Sequence, residues 1–304
     1  MSKLRIAVPE EWERWAHKHQ PFERDPERPA KLEEATLLQR PHKYPRLWLP
    51  TGHIVPMPMR GGARLFDDAS SQYLEADSAP VNAAPLSMSI WFKTDTLVLN
   101  EALMWLGDKD VQNKYWGLFL LASTDRMKFD LFDNAATAGL SHTANSWNHG
   151  CGVDVSSTSH SAFLNGGNKG NITTSIAPTG ADRISIGHFG DSSPSIPFSG
   201  DLAEACIWNV ALSDADVAAA AKNVSPLLAP RPESLVYYCP IIGNYSPEID
   251  IVGGIDMTVT GATKSAHPRI FYPPRRSGMP FAIAGGAPPA ATHAPARTLL
   301  GVGV

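Results

Sequence analysis

The chain has 304 residues, 43% of them apolar, which suffices for one large all-β domain or two smaller domains with a packed core. Its formal net charge is -4, and the 26 basic and 30 acidic residues are mixed along the sequence, a balance that predicts no nucleic-acid partner. Residues 1–15 are charged where an export signal would be apolar, and no apolar run approaches the roughly 18 residues of a membrane span, so we expect neither export nor membrane insertion.

The first zone, residues 1–62, is predicted to be an extended N-terminal arm. Nine prolines stand among the first 60 residues, and each fixes its own φ and disfavours helix in the residue before it. Two short helices, over 9–20 and 29–39, are the exceptions. Large aromatic side chains dominate interface energetics, so Trp12, Trp15 and Trp48 are the predicted anchors to a partner. The alternative is that they fold back onto the chain's own domain.

The second zone, residues 63–272, is predicted to be an all-β, two-sheet antiparallel jelly-roll sandwich. Apolar and polar residues alternate over 88–93 and 183–186, as they do in half-buried strands, and glycine, asparagine and proline separate such segments. One short helix interrupts the pattern. Ser213 is suited to cap its first turn, and Asp216 stands at the reciprocal position.

The three cysteines, Cys151, Cys206 and Cys239, form no Cys-x-x-Cys pair and are odd in number. This pattern predicts neither a disulfide framework nor a zinc site, but buried thiols that pack as small apolar side chains. His149 and His188 stand next to strand residues and are interpreted as structural. No phosphate-binding glycine loop or nucleophile elbow occurs either, so no cofactor is predicted.

The third zone, residues 273–304, is predicted to be an extended C-terminal arm rich in alanine, glycine and proline. The 37 residues after His267 hold seven prolines, four arginines and no acidic residue, a composition that does not form a core by itself. Such an arm gains order against another subunit. Arg275 and Arg276 are its predicted contacts, because arginines make directional interactions at interfaces.

Four motifs, in order, resemble the laminin-G-like jelly rolls of the concanavalin A-like lectin and glucanase group. They are 65–74 as the first strand, 88–93 with its tryptophan, 147–149 leading to 162–166, and 198–208 followed by the helix start at 211–217. Asn165-Gly166 is typical of a hairpin turn, because both central residues need positive φ. The resemblance covers the second zone and neither arm, and it implies a sandwich that binds.

One such sandwich, combined with two proline-rich arms and no export signal, favours a non-catalytic structural protein of a virion. Modules of this fold in cellular lectins are normally exported, whereas bacteriophage capsid decoration and tail proteins assemble in the host cytoplasm. Residues 262–273 are also similar to the ends of phage-borne laminin-G-like proteins. We therefore expect other virion proteins as partners, a homo-oligomer or multi-copy assembly, and arms anchored on neighbouring subunits.

The alternative is a lectin-like adhesion module that binds cell-surface glycan. Aromatic rings stack on sugar faces, and Trp105, Tyr115 and Trp116 are the predicted contacts, because alternation along a strand can turn a side chain outward. Trp91 and Trp208 are further candidates. A tryptophan in a sandwich strand is nevertheless more often part of the core.

A glycosidase of the same fold is the third hypothesis. Glu248 and Asp250 lie on a segment that resembles the Glu-x-Asp-x-x-Glu strand of retaining glucanases, in which two carboxyl groups lie about 5 to 5.5 Å apart. Gly253 stands where the acid/base glutamate should be. The segment is therefore interpreted as a strand or turn in which Asp250 caps a loop, and no enzyme activity is expected.

Asp108 and Asp110 offer hard oxygen ligands from a single loop, and the resemblance implies a calcium ion at the rim of many such modules. Two carboxylates that flank a lysine are more often a solvated turn. Metal binding is therefore left out of the predicted site.

Overall fold

The computed structural model describes residues 46–48, 54–56, 62–94, 99–112, 114–132, 134–268 and 270. The chain divides into two units, residues 1–45 and 46–304, and every described residue belongs to the second. Trp12, Trp15, Arg275 and Arg276 lie outside the described residues, as do both predicted N-terminal helices and the side chain of Trp48. The predicted partner contacts of the arms therefore remain predictions.

The described residues form strands in three antiparallel sheets, together with one α-helix. The strands are β1 (Arg46–Trp48), β2 (Ile54–Pro56), β3 (Gly62–Phe66), β4 (Tyr73–Ala76), β5 (Leu86–Lys93), β6 (Glu101–Gly107), β7 (Tyr115–Leu121), β8 (Arg126–Leu131), β9 (Asn134–Ser141), β10 (Asn148–Ser156), β11 (Ser159–Leu164), β12 (Gly167–Ile172), β13 (Arg183–Ile186), β14 (Gly200–Trp208), β15 (Leu235–Cys239), β16 (Thr258–Thr260) and β17 (Thr263–Ala266), and the helix is α1 (Asp214–Ala220).

Two large sheets face each other and form the sandwich. Sheet 1 has the order β12-β11-β10-β5-β14-β3-β17, and β15 also pairs with β14. Sheet 2 has the order β16-β4-β13-β6-β7-β8-β9, and β1 pairs with β2. The predicted all-β, two-sheet antiparallel sandwich with one short helix is thus confirmed.

The main core lies between the two sheets, where each strand contributes every second side chain. On β5 these inward residues are Met88, Ile90 and Phe92, none of which has exposed surface. The outward residues from the start of β5 through Trp91 are buried as well. Other parts of the chain must therefore cover the outer face of this strand.

The outer face of sheet 1 is covered by α1 and the segments that follow it. Val217 of α1 packs with Trp208 and with two cysteines, Cys151 and Cys206. All three cysteines of the chain are buried and free, as predicted. The start of α1 is also as predicted, since Ser213 Oγ accepts the Asp216 amide while the Asp216 carboxylate accepts the Ser213 amide. Among the described helices, none has the length and apolar composition needed to cross a membrane.

The outer face of sheet 2 is covered by the segment between β13 and β14, residues 187–199. Phe189 and Ile196 of this segment pack on an aromatic cluster of β6 and β7. The amide of Ala102 donates to the carbonyl of Ile196 at 3.1 Å and fixes the segment against β6. Both sheets therefore have buried aromatic side chains on their outer faces as well as in the main core.

The turn between β11 and β12 agrees with the sequence prediction, whereas the predicted first strand does not. The Asn165-Gly166 turn between β11 and β12 has φ values of 54° and 76°, so both residues are in the left-handed region, as the hairpin interpretation requires. The segment 65–74, predicted as one strand, is instead the end of β3 in sheet 1 and the start of β4 in sheet 2. The chain changes sheets at a 3₁₀ turn, Asp68–Ser70, whose start is capped by the Asp67 carboxylate, which accepts the amide of Ala69.

Candidate functional site

The three predicted carbohydrate contacts are buried in the sandwich. Trp105 and Trp116 have no exposed surface, and Tyr115 is 2% exposed. Trp116 lies between the sheets, where its Nε1 donates to Asp154 Oδ2 at 2.6 Å, and the other two rings lie beneath residues 187–199. None of the three rings presents a face to solvent in this structure, so all three contribute to the packing of the sandwich. Strand alternation fixes the sheet face of a side chain, but not whether another segment covers that face.

The carboxylates of the glucanase-like segment make structural hydrogen bonds. Glu248 Oε1 lies 2.7 Å from Nε of the buried Arg64 and accepts the amide of Gly243. Burial raises the pKa of Glu248, and the Arg64 guanidinium opposes that effect. The Asp250 carboxylate accepts backbone amides from Tyr238, Val252, Gly253 and Ile255. The interpretation of Asp250 as a loop cap is confirmed.

Three carboxylates meet at one rim of sheet 2. Asp108 and Asp110 belong to the turn after β6, and Asp182 directly precedes β13, which pairs with β6. One carboxylate oxygen from each of the three lies within 4.8 Å of the others. Calcium binds oxygen at about 2.3–2.6 Å, so two of its ligands lie up to about 5 Å apart and this spacing suits one ion. We call these three residues the rim cluster.

Backbone amides and a lysine hold the rim cluster in shape. Asp108 Oδ1 accepts the amide of Asp110 at 3.1 Å, and Asp182 Oδ1 accepts the amide of Lys109 at 2.9 Å. Lys114 Nζ lies 3.9 Å from Asp108 Oδ2. The sequence indicated the first two aspartates but not Asp182, because the β6–β13 pairing that brings it near is a long-range contact. The one local signal was its position just before a predicted strand.

A bulge in β14 places a carboxylate on the outer face of sheet 1. The inward residues of β14 are Leu202, Ala205 and Ile207, and the outward ones are Ala203, Cys206 and Trp208. Strict alternation would turn Ala205 outward, so Glu204 is the extra residue, at the point where the pairing with β5 shifts register. Its φ is +59°, a left-handed value that non-glycine residues rarely adopt. The Glu204 carboxylate accepts from Tyr238 Oη at 2.6 Å and lies 2.8 Å from His267 Nε2.

A narrow cleft lies beside Glu204 on this outer face. On the strand side it is lined by Ser89, Trp91, His149, Glu204, Cys206 and Trp208, and on the other side by residues from 220–230. Its volume is about 10 Å³, which is room for roughly one water molecule. We call it the β5–β14 cleft.

His149 is the unusual member of the β5–β14 cleft. Its side chain is buried, and Nδ1 has no hydrogen-bond partner among the described residues. Burial lowers the pKa of His149 to about 3, so the ring is neutral near pH 7 and carries one N–H donor and one acceptor. The ring lies 5.2 Å from that of Trp91, and the half-buried Trp147 packs against the same cluster. The sequence interpretation of His149 as purely structural did not include an unpaired nitrogen.

The comparisons with known proteins agree on the fold. Residues 68–218 match the sequence profile of a laminin-G-type family described as the Concanavalin A-like lectin/glucanases superfamily. A search of curated proteins gives no match.

Similar solved structures include one from Bacteroides ovatus and one from Limulus polyphemus. A candidate carbohydrate binding protein from Bacteroides ovatus has 16% identity and a TM-score of 0.51, over 72% of this chain and 65% of that one. This chain therefore spans less than two thirds of the length of that protein. A heptameric SAP-like pentraxin from Limulus polyphemus has 13% identity and a TM-score of 0.53, over 70% of this chain and 98% of that one. At these identities the likeness shows the fold, and it gives no support to a phage origin. The profile match and the observed sandwich together identify a laminin-G-like domain of the concanavalin A-like lectin/glucanase superfamily in this chain.

Proposed function

We propose that the sandwich formed by residues 62–270 is a carbohydrate-binding module. The observation that carries the proposal is the match of residues 68–218 to a superfamily of lectins and glucanases. The Bacteroides protein of the same fold, described as a candidate carbohydrate binding protein, supports it. Within the superfamily, binding is favoured over hydrolysis because Glu248 and Asp250 hold Arg64 and backbone amides in place.

The rim cluster suits this function. Calcium takes six to eight oxygen ligands, and three carboxylates leave coordination positions for hydroxyl groups of a ligand. Asp108, Asp110 and Asp182 would hold the ion, and the ion would supply a positive charge to which sugar hydroxyls bind. The cluster lies where β6 ends and β13 begins and is partly exposed, so a ligand can reach it.

A glycan array probed with the full chain tests the proposal. We expect binding in the presence of calcium, loss of at least some of the bound glycans in chelator, and at least a tenfold weaker signal for the same glycans with Asp182→Asn. The matched control is Asp214→Asn, an exposed aspartate of α1 paired with Lys169, which should bind as the wild type does. A folded chain that binds no glycan would contradict the function. Binding that survives both chelator and Asp182→Asn would leave the function in place and remove the role of the ion.

The virion role expected from the two arms stays a separate prediction. Its predicted contacts, Trp12, Trp15, Arg275 and Arg276, lie outside the described residues. A glycan-binding sandwich displayed in many copies would be compatible with it, because multivalency strengthens weak adhesion. Copurification with a large particle, lost when Trp12 and Trp15 are changed to alanine, is the measurement that checks it.

A further inference from the structure

The β5–β14 cleft contains a buried polar group whose hydrogen bonds do not close within the described structure. His149 is 2% exposed, and its Nδ1 has no partner among the described residues. His160, on the neighbouring strand β11, has both nitrogens paired: Nδ1 lies 2.9 Å from Asp154 Oδ1, and Nε2 lies 3.2 Å from the carbonyl of Thr174. His142 and His188 each have an Nε2 without a hydrogen-bond partner among the described residues, but neither lines this cleft. An unpaired buried polar atom is destabilising, so the state of His149 needs an explanation.

Glu204, whose carboxylate lines the same cleft, has an unfavourable backbone conformation. Glu204 adopts its positive φ at the bulge in β14, and strained backbone of this kind is concentrated at functional sites. Bulges next to such sites re-aim a side chain, and here the bulge turns Glu204 into the cleft. Two unfavourable features, the strained Glu204 backbone and the unpaired His149 nitrogen, therefore lie in one small cleft.

The remaining walls have the chemistry of a sugar site. Trp91 lines the cleft, and the half-buried Trp147 packs against the cluster formed by Ala63, Trp91 and Ala203, so a second aromatic side chain lies near the cleft. Aromatic rings bind the C–H face of a sugar, while a carboxylate and a neutral imidazole exchange hydrogen bonds with hydroxyl groups. A volume of about 10 Å³ admits one hydroxyl group and excludes a sugar ring. An anionic sugar would meet the Glu204 carboxylate and an uncharged His149 ring.

We infer that the β5–β14 cleft is a binding site for one hydroxyl group of a neutral saccharide, which hydrogen-bonds to His149 while the sugar ring lies outside against Trp147. This inference rests on the proposed carbohydrate-binding function. The proposed hydroxyl site lies on sheet 1, whereas the rim cluster lies on sheet 2.

A stability measurement separates a ligand-binding imidazole from a structural one. His149→Phe keeps an aromatic ring against Trp91 and removes both nitrogens. The thermal midpoint should stay equal to that of the wild type or rise, because an unpaired buried nitrogen has been removed. His160→Phe is the matched control, and its midpoint should fall, because the bond to Asp154 is lost. A fall for His149→Phe as large as that for His160→Phe would overturn the inference.

The binding measurement uses methyl glucoside and methyl galactoside as neutral probes and glucuronic acid as their charged counterpart. In the full chain labelled with ¹⁵N-histidine, the neutral sugars should shift the ring resonances of His149, assigned from their absence in His149→Phe, and glucuronic acid should bind at least tenfold more weakly. His188→Phe, a buried imidazole stacked on Tyr73 in sheet 2, should leave this binding unchanged. Trp147→Ala, at a half-buried position, should weaken it about tenfold, the equivalent of one lost hydrogen bond or ring contact.

These measurements test the β5–β14 cleft separately from the proposed carbohydrate-binding function. Resonances of His149 that do not move with either neutral sugar would overturn the inference. The inference would also be overturned if His149→Phe bound every array glycan and both methyl glycosides at full strength. In that case the proposed function would stand. A blank array with the folded chain would remove the proposed function itself.

Discussion

At the scale of single residues, buried polar side chains of this sandwich differ in whether their hydrogen bonds close within the fold. Arg64 and Glu248 satisfy each other and neighbouring backbone groups, and Trp116 and His160 both bind Asp154. His149 has a nitrogen without a partner among the described residues. The closed networks stabilise the fold, whereas an open one is available to a ligand.

The Arg64–Glu248 pair gives the first prediction. Glu248→Gln leaves the buried Arg64 guanidinium without its counter-charge, and breaking a buried pair from one side costs about 3 kcal/mol. Urea unfolding should show this loss in the free energy of unfolding. Glu233→Gln, at an exposed position, should stay within about 0.5 kcal/mol of the wild type. Unchanged stability of Glu248→Gln, accompanied by loss of a measured β-glucan hydrolysis, would instead make Glu248 a catalytic group.

Two buried histidines should make the stability of the sandwich depend on pH. Burial lowers the pKa of His149 to about 3 and that of His188 to about 4, both below the ordinary 6.5. As the pH falls from 6.5 towards 4, the unfolded chain binds more protons at these positions than the folded chain, so stability falls. One such group contributes up to about 1.4 kcal/mol per pH unit.

His149→Phe removes one of these contributions, while raised carboxyl pKa values act equally on both proteins. The difference in unfolding free energy between variant and wild type should therefore grow in favour of the variant as the pH falls from neutral to about 4. Urea unfolding of both proteins at several pH values measures it. Parallel pH profiles would show that His149 is not held neutral.

At the scale of secondary-structure elements, local signals in the sequence were sufficient where the cause of the structure is local. The Ser213 cap and the Asn165-Gly166 turn depend on a few consecutive residues, and both were predicted. The bulge at Glu204 was not, because it depends on the register between β14 and β5. Between a sugar contact and a core residue, the sequence could not decide for Trp105 for the same reason: a distant segment, residues 187–199, covers it.

The capping box of α1 gives the third prediction. Ser213→Ala removes the acceptor for the Asp216 amide, which should lower the free energy of unfolding by about 1 kcal/mol. Ser192→Ala, at an exposed position in the segment 187–199, serves as the control and should change little. Equal stability of the two variants would show that α1 does not depend on its cap. A frayed α1 would also open the wall of the β5–β14 cleft formed by residues 220–230.

At the scale of the whole molecule, the two sites proposed to bind sugar lie on different sheets of the sandwich. The rim cluster combines Asp108 and Asp110, which the sequence indicated, with Asp182, which only the β6–β13 pairing supplies. The β5–β14 cleft could not be predicted, because its members come from β5, β10, β14, the end of α1 and the loop after α1. Fold class follows from repeated local patterns, whereas a site depends on which distant residues meet.

Hydrogen–deuterium exchange of the full chain, with and without the array's strongest saccharide, tests the claim of carbohydrate binding by the sandwich most directly. We expect slower exchange of backbone amides in the sandwich when the sugar is bound. The slowed amides should lie at the rim, in 107–110 and 180–183, or at the cleft, in 88–92, 147–150 and 203–206. Unchanged exchange throughout residues 62–270 in the presence of saturating sugar would contradict it.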